Sequence, residues 1–385
     1  MVSGMIIVMK ILVLISVLFS TSLLAEEKNI FTVLDIPDEF SKAKNIYPKY
    51  INVFGVHIFA SKEVRNKKII HAANILAEYL DNDEDGMPDN QLVHEHLLKR
   101  KACLLMSKNN NAWESDYERF WDIYDGRCRA QSLYDVETNP GGGKFDASLE
   151  EILHLITGSG YASAYPNELG YKRSLLTYAM DRARGGKFLT IPKKYPKEAW
   201  YSYYDRTCSY ECMAAEYIYW ALTSYLGAQK KRYEILREWR AYTKEKLIKM
   251  DPHVTKLITN PKFKFPTKLP DGHYNASVNA YKTFVSSIKE YVPKEGEVCD
   301  WIILEAYPEY LNDLPSINFH SAFYVVVGDD ERCEYGFYWD TDRSLEDVIK
   351  EAKADCNQYR LKEKIKGECK PYDVNKEIVW DAEES

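Results

Sequence analysis

Beyond Leu24 the chain has no run approaching the roughly 18 uninterrupted apolar residues of a membrane-spanning helix, so the mature protein is expected to span no membrane. It also lacks an excess of positive charge. Fifty-one basic residues stand against 58 acidic ones, a formal net charge of −7. That balance argues against a nucleic-acid or anionic-membrane partner. Internal repeats and low-complexity tracts are missing, which leaves an ordinary globular chain. The glycine loop "NPGGGKF" is not a phosphate loop, because Phe145 stands where G-x-x-x-x-G-K-[ST] requires Ser or Thr.

What is present begins with a short apolar run, Ile11 to Leu24, ended by Ala25 and two glutamates. This reads as a secretory signal peptide over residues 1–25, and places the mature protein in a secreted or periplasmic setting. All eight cysteines lie after it, an even number in an oxidising compartment, so disulfides are the expectation. They divide four and four: Cys103, Cys128, Cys208 and Cys212, then Cys299, Cys333, Cys356 and Cys369. Cys356 ends a helical pattern and Cys369 opens a strand pattern, which makes a bridge between them natural. Cys208 and Cys212, in "CSYEC", can bridge only if a helix begins between them; a redox pair would more usually be C-x-x-C.

The patterning predicts an α+β chain of two parts. Residues 26–275 form a mainly helical domain, with one strand entering its core over 45–61. Helices are expected over "KIIHAANILAEYL", "RSLLTYAMDRARGG", residues 207–226 and "KRYEILREWRAYTKEKL", and residues 91–125 read as helical, then irregular. Residues 276–298 form a partly helical connector. Residues 299–385 read as a small α+β module, with strands at "HSAFYVVVG" and "CEYGFYWD" and a helix at "SLEDVIKEAKADC".

"DNDEDGMPD" places Asp81, Asp83, Asp85 and Asp89 in the pattern D-x-D-x-D-G-x-x-D. Alternate carboxylates on a tight loop converge on one point, Gly86 permits the turn, and Ca²⁺ takes six to eight oxygens. The EF-hand's closing Glu is replaced by Leu92. The bland reading is a charged surface turn, but four like charges in one short loop repel without a cation among them. Calcium in a structural role is the expectation.

"DASLEEILHLITGSGY" is the stretch on which function turns. At roughly 100° per residue, Leu149, Ile152, Leu153 and Ile156 share one face. Glu150, Glu151 and His154 lie on the other, and Gly158 and Gly160 are expected to close the helix. Glu150 and His154, at i and i+4, point the same way and suit one zinc-like ion, with Glu151 beside it as base for a bound water. An ordinary amphipathic helix with acidic first turns would show the same face. The second signal is "MAAEYIYWALTSYLGA", in which Glu216 is the one charge on a helix apolar nearly all round. A carboxylate buried there must pair, bind a metal or take up a proton. Its ion-pair alternatives are Arg182, Arg184 and Lys172. His71, on an apolar helical face, reads as a core histidine and is the reserve ligand.

"EEILHLI", "GYASAYP", "AMDRARGG", "AWYSYYDRTC" and "EYIYWALTSYLGAQ", with "HAANILAEYLDNDEDG", resemble a family of secreted, largely uncharacterised proteins of marine bacteria and fungi. That resemblance runs from about Ile46 to "LPDGHYN" and implies no established activity. A more distant likeness to zincins rests on Glu150, Glu151, His154 and Glu216. It departs from H-E-x-x-H at the first ligand, where Glu150 stands for His. The part after Cys299 is similar to small cysteine-paired secreted modules. Three function classes follow. The leading one is an exported zincin-like hydrolase acting on a peptide or other extracellular substrate, with Glu150, His154 and Glu216 as ligands and Glu151 as base. The rival is a non-catalytic, calcium-stabilised binding protein with a buried Glu/His/Arg network, and thiol redox at Cys208 and Cys212 is the third.

Overall fold

The computed structural model describes residues 30–124, 128–288, 298–299, 302–307, 310–311, 314, 319–328 and 332–380. The signal peptide expected at 1–25 and residues 289–297 of the connector lie outside the described residues. The chain is mixed α+β.

"KYINVFGVHIFA" forms two strands rather than one. Strand β2 (Lys49–Val53) turns at Phe54 and Gly55 and returns antiparallel as β3 (Val56–Ala60). Phe54 and Gly55 both take positive φ, 51° and 86°, as a two-residue hairpin turn requires. Helices α1 (Asn66–Leu80) and α2 (Gln91–Lys99) then lead to β4 (Ala102–Ser107), parallel to β3. Helix α3 (Asn110–Tyr124) leads to β5 (Arg129–Tyr134), parallel to β4. With the short β1 (Leu34–Asp35), the sheet order is β1-β2-β3-β4-β5, and β5 is an edge.

Strand β4 is missing from the sequence reading, which left 91–125 helical then irregular. All six of its residues are buried. A strand covered on both faces carries a continuous apolar run instead of alternation, so periodicity cannot mark it. Phe59, Leu105, Phe120, Tyr47 and Tyr50 cover one side of the sheet. The larger core lies on the other side, between the sheet and α1, α4 (Ser148–Leu155) and α8 (Tyr210–Tyr225).

Helix α4 does not close at its glycines. Residues Ile156–Tyr161 continue it as a wider π turn, followed by the short α5 (Ala162–Ala164) and α6 (Pro166–Leu169). A Cβ on Gly160 would lie 2.7 Å from Val93, so the bare backbone there lets α2 approach. Ser174 and Thr177 cap each other at the start of α7 (Leu175–Arg184), and Ser209 caps α8. The helix expected over "KRYEILREWRAYTKEKL" is broken. A 3₁₀ turn (Tyr233–Arg237) is followed by Trp239, which bridges to Tyr201, and only then by α9 (Lys244–Met250). Burying the Trp239 ring, with its Nε1 donating to Ser224, overrides the helical pattern.

After α10 (Pro252–Ile258), the proline-rich segment returns to α1. Thr267 and Lys268 N–H groups donate to Asn82, and Gly272 N–H donates to Glu78. Helix α11 (Val278–Ser287), in the first half of the expected connector, sets Tyr281 against the β2–β3 turn, its hydroxyl donating to the Asn52 carbonyl.

The C-terminal part is a sheet ordered β7-β6-β8-β9: β6 (His320–Val327), β7 (Cys333–Asp340), β8 (Lys370–Val374) and β9 (Glu377–Ile378). Helix Leu345–Lys362 crosses it. Four disulfides pair all eight cysteines: Cys103–Cys128, Cys208–Cys212, Cys299–Cys333 and Cys356–Cys369. The Cys208–Cys212 bridge forms because α8 starts between them, at Tyr210. Among the described residues, no helix is long and apolar enough to cross a membrane.

The crossing of helix and sheet in the module depends on Gly336. A Cβ there would lie 2.0 Å from the Cys356 backbone nitrogen, which cannot move without the helix. Gly336→Ala is therefore expected to cost about 1–3 kcal/mol, read as a lower denaturation midpoint with an unchanged slope.

Candidate metal centre

Helix α4 runs against β4, β5, α1 and α8. Its apolar face, Leu149, Ile152 and Leu153, enters the core as the spacing predicts. Its polar face is not solvated but turns toward α8, where Glu216 meets it. His154 Nε2 lies 3.5 Å from Glu216 Oε1 and 4.0 Å from Glu150 Oε1. One ligand atom from each of Glu150, His154 and Glu216 can be chosen so that all lie within 4.8 Å of one another. These are the three expected ligands.

Both ring nitrogens of His154 are buried and neither has a hydrogen-bond partner. The 3.5 Å approach to Glu216 is an ion-pair contact without hydrogen-bond geometry. A buried imidazole normally engages at least one nitrogen, and a divalent ion among the three side chains would engage Nε2. The residues present fit such an ion in donor type and spacing. The ion-pair alternatives for Glu216 are engaged elsewhere. Lys172 pairs with Glu211 at 3.2 Å, Arg184 donates to the Phe188 carbonyl and Met213 Sδ, and Arg182 lies over the Tyr178 ring. Among the described residues, no Lys or Arg forms an ion pair with Glu216. His71, the reserve ligand, is bonded through Nε2 to Asp146 at 2.6 Å and belongs to the anchoring of the loop before α4.

The charges press on one another. Burial, then the Glu216 carboxylate, pushes Glu150 up to about 7. Burial likewise lifts Glu151 to about 7, against the pull of His154. Burial alone would lower His154, but Glu216, Glu151 and Glu150 outweigh it and raise the imidazole to about 9.

Residues outside the expected ligand set complete the surroundings. Gln131, on edge strand β5, donates from Nε2 to Glu151 Oε2 at 2.6 Å. Tyr219 lies beside Glu150, its hydroxyl receiving from Gln229 and Arg232. Burial and the neighbouring Glu216 carboxylate raise the Tyr203 phenol. Tyr203 and Tyr219 belong to the tyrosine clusters at 201–204 and 217–225, which read as core packing or as the lining of a sugar- or peptide-binding cleft; nothing local marks Gln131.

The aspartate loop behaves as a second cluster. Asp81, Asp83 and Asp89 bring carboxylate oxygens within 4.8 Å of one another. Asp85 instead accepts from the Met87 N–H, holding the turn. Burial raises Asp81 to about 6 despite hydrogen bonds from Tyr274 and Gly86, and raises Asp89 in the same direction.

No protein-family model matches this chain, and no functionally curated protein is significantly similar to it.

A pH dependence follows for the metal-free protein. Glu150 and Glu151 hold protons more tightly folded than unfolded, so their burial begins to cost stability above pH 4.5 and the loss is complete above about pH 7. The favourable contribution of His154 is present in full below pH 6.5 and is lost as pH rises through about 9. All three act in one direction. The melting temperature of chelator-stripped protein is expected to fall from pH 5 to 9, with a shallower fall in Glu150→Gln/Glu151→Gln.

Proposed function

We propose that the chain is an exported, zincin-like metal-dependent hydrolase acting on peptides. The observation that supports this is the meeting of Glu150, His154 and Glu216 at one point, with Glu151 alongside and outside the ligand set. A zinc-like ion there would act as a Lewis acid on the scissile carbonyl and acidify a bound water. The chain's own residues supply the rest. Glu151, lifted to about 7, is matched to take a proton from water near neutral pH and return it to the leaving amine. Gln131 holds one of its oxygens, leaving the other for that proton. Tyr219 and Tyr203 set phenol dipoles beside the two ligand carboxylates. Because Gln131 sits on β5, an extended peptide pairing with that edge would lie beside Glu151.

Calcium is the proposed occupant of the aspartate loop, in a structural role. Asp81, Asp83 and Asp89 provide hard oxygens at the junction of α1 with Tyr274, and four disulfides accord with the expected export. The binding-protein reading keeps the same residues as a buried network without turnover. It is weakened by the absence, among the described residues, of any Lys or Arg ion pair to Glu216.

Glu151→Gln is expected to keep the metal and lose peptide hydrolysis by about 10²–10⁴-fold; His154→Ala should lose both. Retained turnover in Glu151→Gln, or metal retained in His154→Ala, would refute the assignment. Removing calcium should lower the melting temperature, since an ion at 100 times its Kd adds about 2.7 kcal/mol. Asp83→Ala should abolish the difference between chelated and calcium-loaded melts.

A further inference from the structure

We infer that the centre formed by Glu150, His154 and Glu216 is a two-carboxylate, one-imidazole site that holds its ion in five- or six-fold coordination and accepts Mn²⁺ and Co²⁺ as well as Zn²⁺. This rests on the reading that the three side chains share an ion, and goes beyond it in naming the class of metal.

The donor set is the reason. Two of its three members are carboxylates, which suit Mn²⁺ and other oxygen-seeking ions and can bind through one oxygen or both. Among the described residues, no second imidazole belongs to the cluster. His71 is held by Asp146, His94 by the Phe54 carbonyl, His96 by Ser163, and His57 by Tyr50.

The spacing admits an ion, and the carboxylates decide how many bonds it takes. Bonds of 2.0–2.1 Å around tetrahedral zinc put ligand atoms about 3.4 Å apart. His154 Nε2 is 3.5 Å from Glu216 but 4.0 Å from Glu150. On a four-coordinate ion the Glu150 carboxylate would close by about 0.6 Å; what raises the coordination number is that each carboxylate can bind through both oxygens. The phenols of Tyr219 and Tyr203 lie beside the two carboxylates, outside the ligand set.

Charge gives a consequence. Two carboxylates cancel the ion's positive charge, whereas a mostly histidine set leaves it in place. A water on the neutralised ion is acidified less, so deprotonation falls to a side chain. Glu151 is the group in position for it, held by Gln131.

The test uses metal-stripped full-length protein with Asp83→Ala, so that the aspartate loop does not contribute. Co²⁺ or Mn²⁺ is added, the excess removed by gel filtration, and the retained metal counted and its visible spectrum recorded. The inference expects stoichiometric retention of both ions and the weak absorption of five- or six-coordinate Co²⁺. It expects loss of retention in Glu216→Gln and in His154→Gln, whichever circular dichroism shows to be folded. Glu150→His should intensify the Co²⁺ bands by moving the donors toward a four-coordinate set. Intense four-coordinate bands in the parent protein, with Mn²⁺ washed off, would overturn the inference and leave the metal-site reading intact. Retention of neither ion would overturn both.

Discussion

Three ionisable groups meeting between two packed helices is the constraint around which the larger domain is arranged. Glu150, His154 and Glu216 sit where α4 crosses α8, on faces the core would otherwise claim for apolar residues. Two carboxylates forced together out of water repel, and one imidazole offsets only part of that. The surroundings answer the imbalance with phenols and amides, since Tyr219, Tyr203, Gln229 and Gln131 add dipoles without adding charge. Arg232 comes no nearer than the far side of Tyr219, stacked on Phe145. A cation closer in would complete an ion pair and leave no place for a metal.

The rest of the domain holds α4 in position. The loop before it is fixed by His71 on Asp146, by Asp146 on Ser148 and by Lys68 on the Thr138 and Asn139 carbonyls. Beyond it the π turn packs on α2 through Gly160. The aspartate loop lies at the far end of α1, where Tyr274 and Gly272 close the returning segment onto the helix. The two acidic clusters thus sit in one packed unit and differ in chemistry. One offers oxygens alone, from a buried, an exposed and a half-buried aspartate; the other offers oxygens and a nitrogen from three half-buried side chains.

Much of the site was legible because it is written in short-range spacing. A lone Glu216 in an apolar helix and a Glu–His pair one turn apart are local facts, and each points inward for its own reason. The same holds for three of the four alternate aspartates and for the module's strands, helix and Cys356–Cys369 pair. What escaped is non-local. Strand β4 has no alternation because both its faces are covered. The helix over 231–247 breaks because Trp239 is claimed by Tyr201 and Ser224 from elsewhere in the chain. Gln131 acts on a residue twenty positions away, across a strand-to-helix contact that no window of sequence reveals.

The bridge between Cys103 and Cys128 joins the beginnings of β4 and β5, with all of α3 in the loop between them. An extracellular protease that cuts within α3 would therefore nick the chain without parting it. The two strands would stay paired and tethered, and Gln131 would keep its place beside Glu151. Where exposed helices are cleaved, the wall of this domain that carries Gln131 is covalently insured against the loss of its own outer layer.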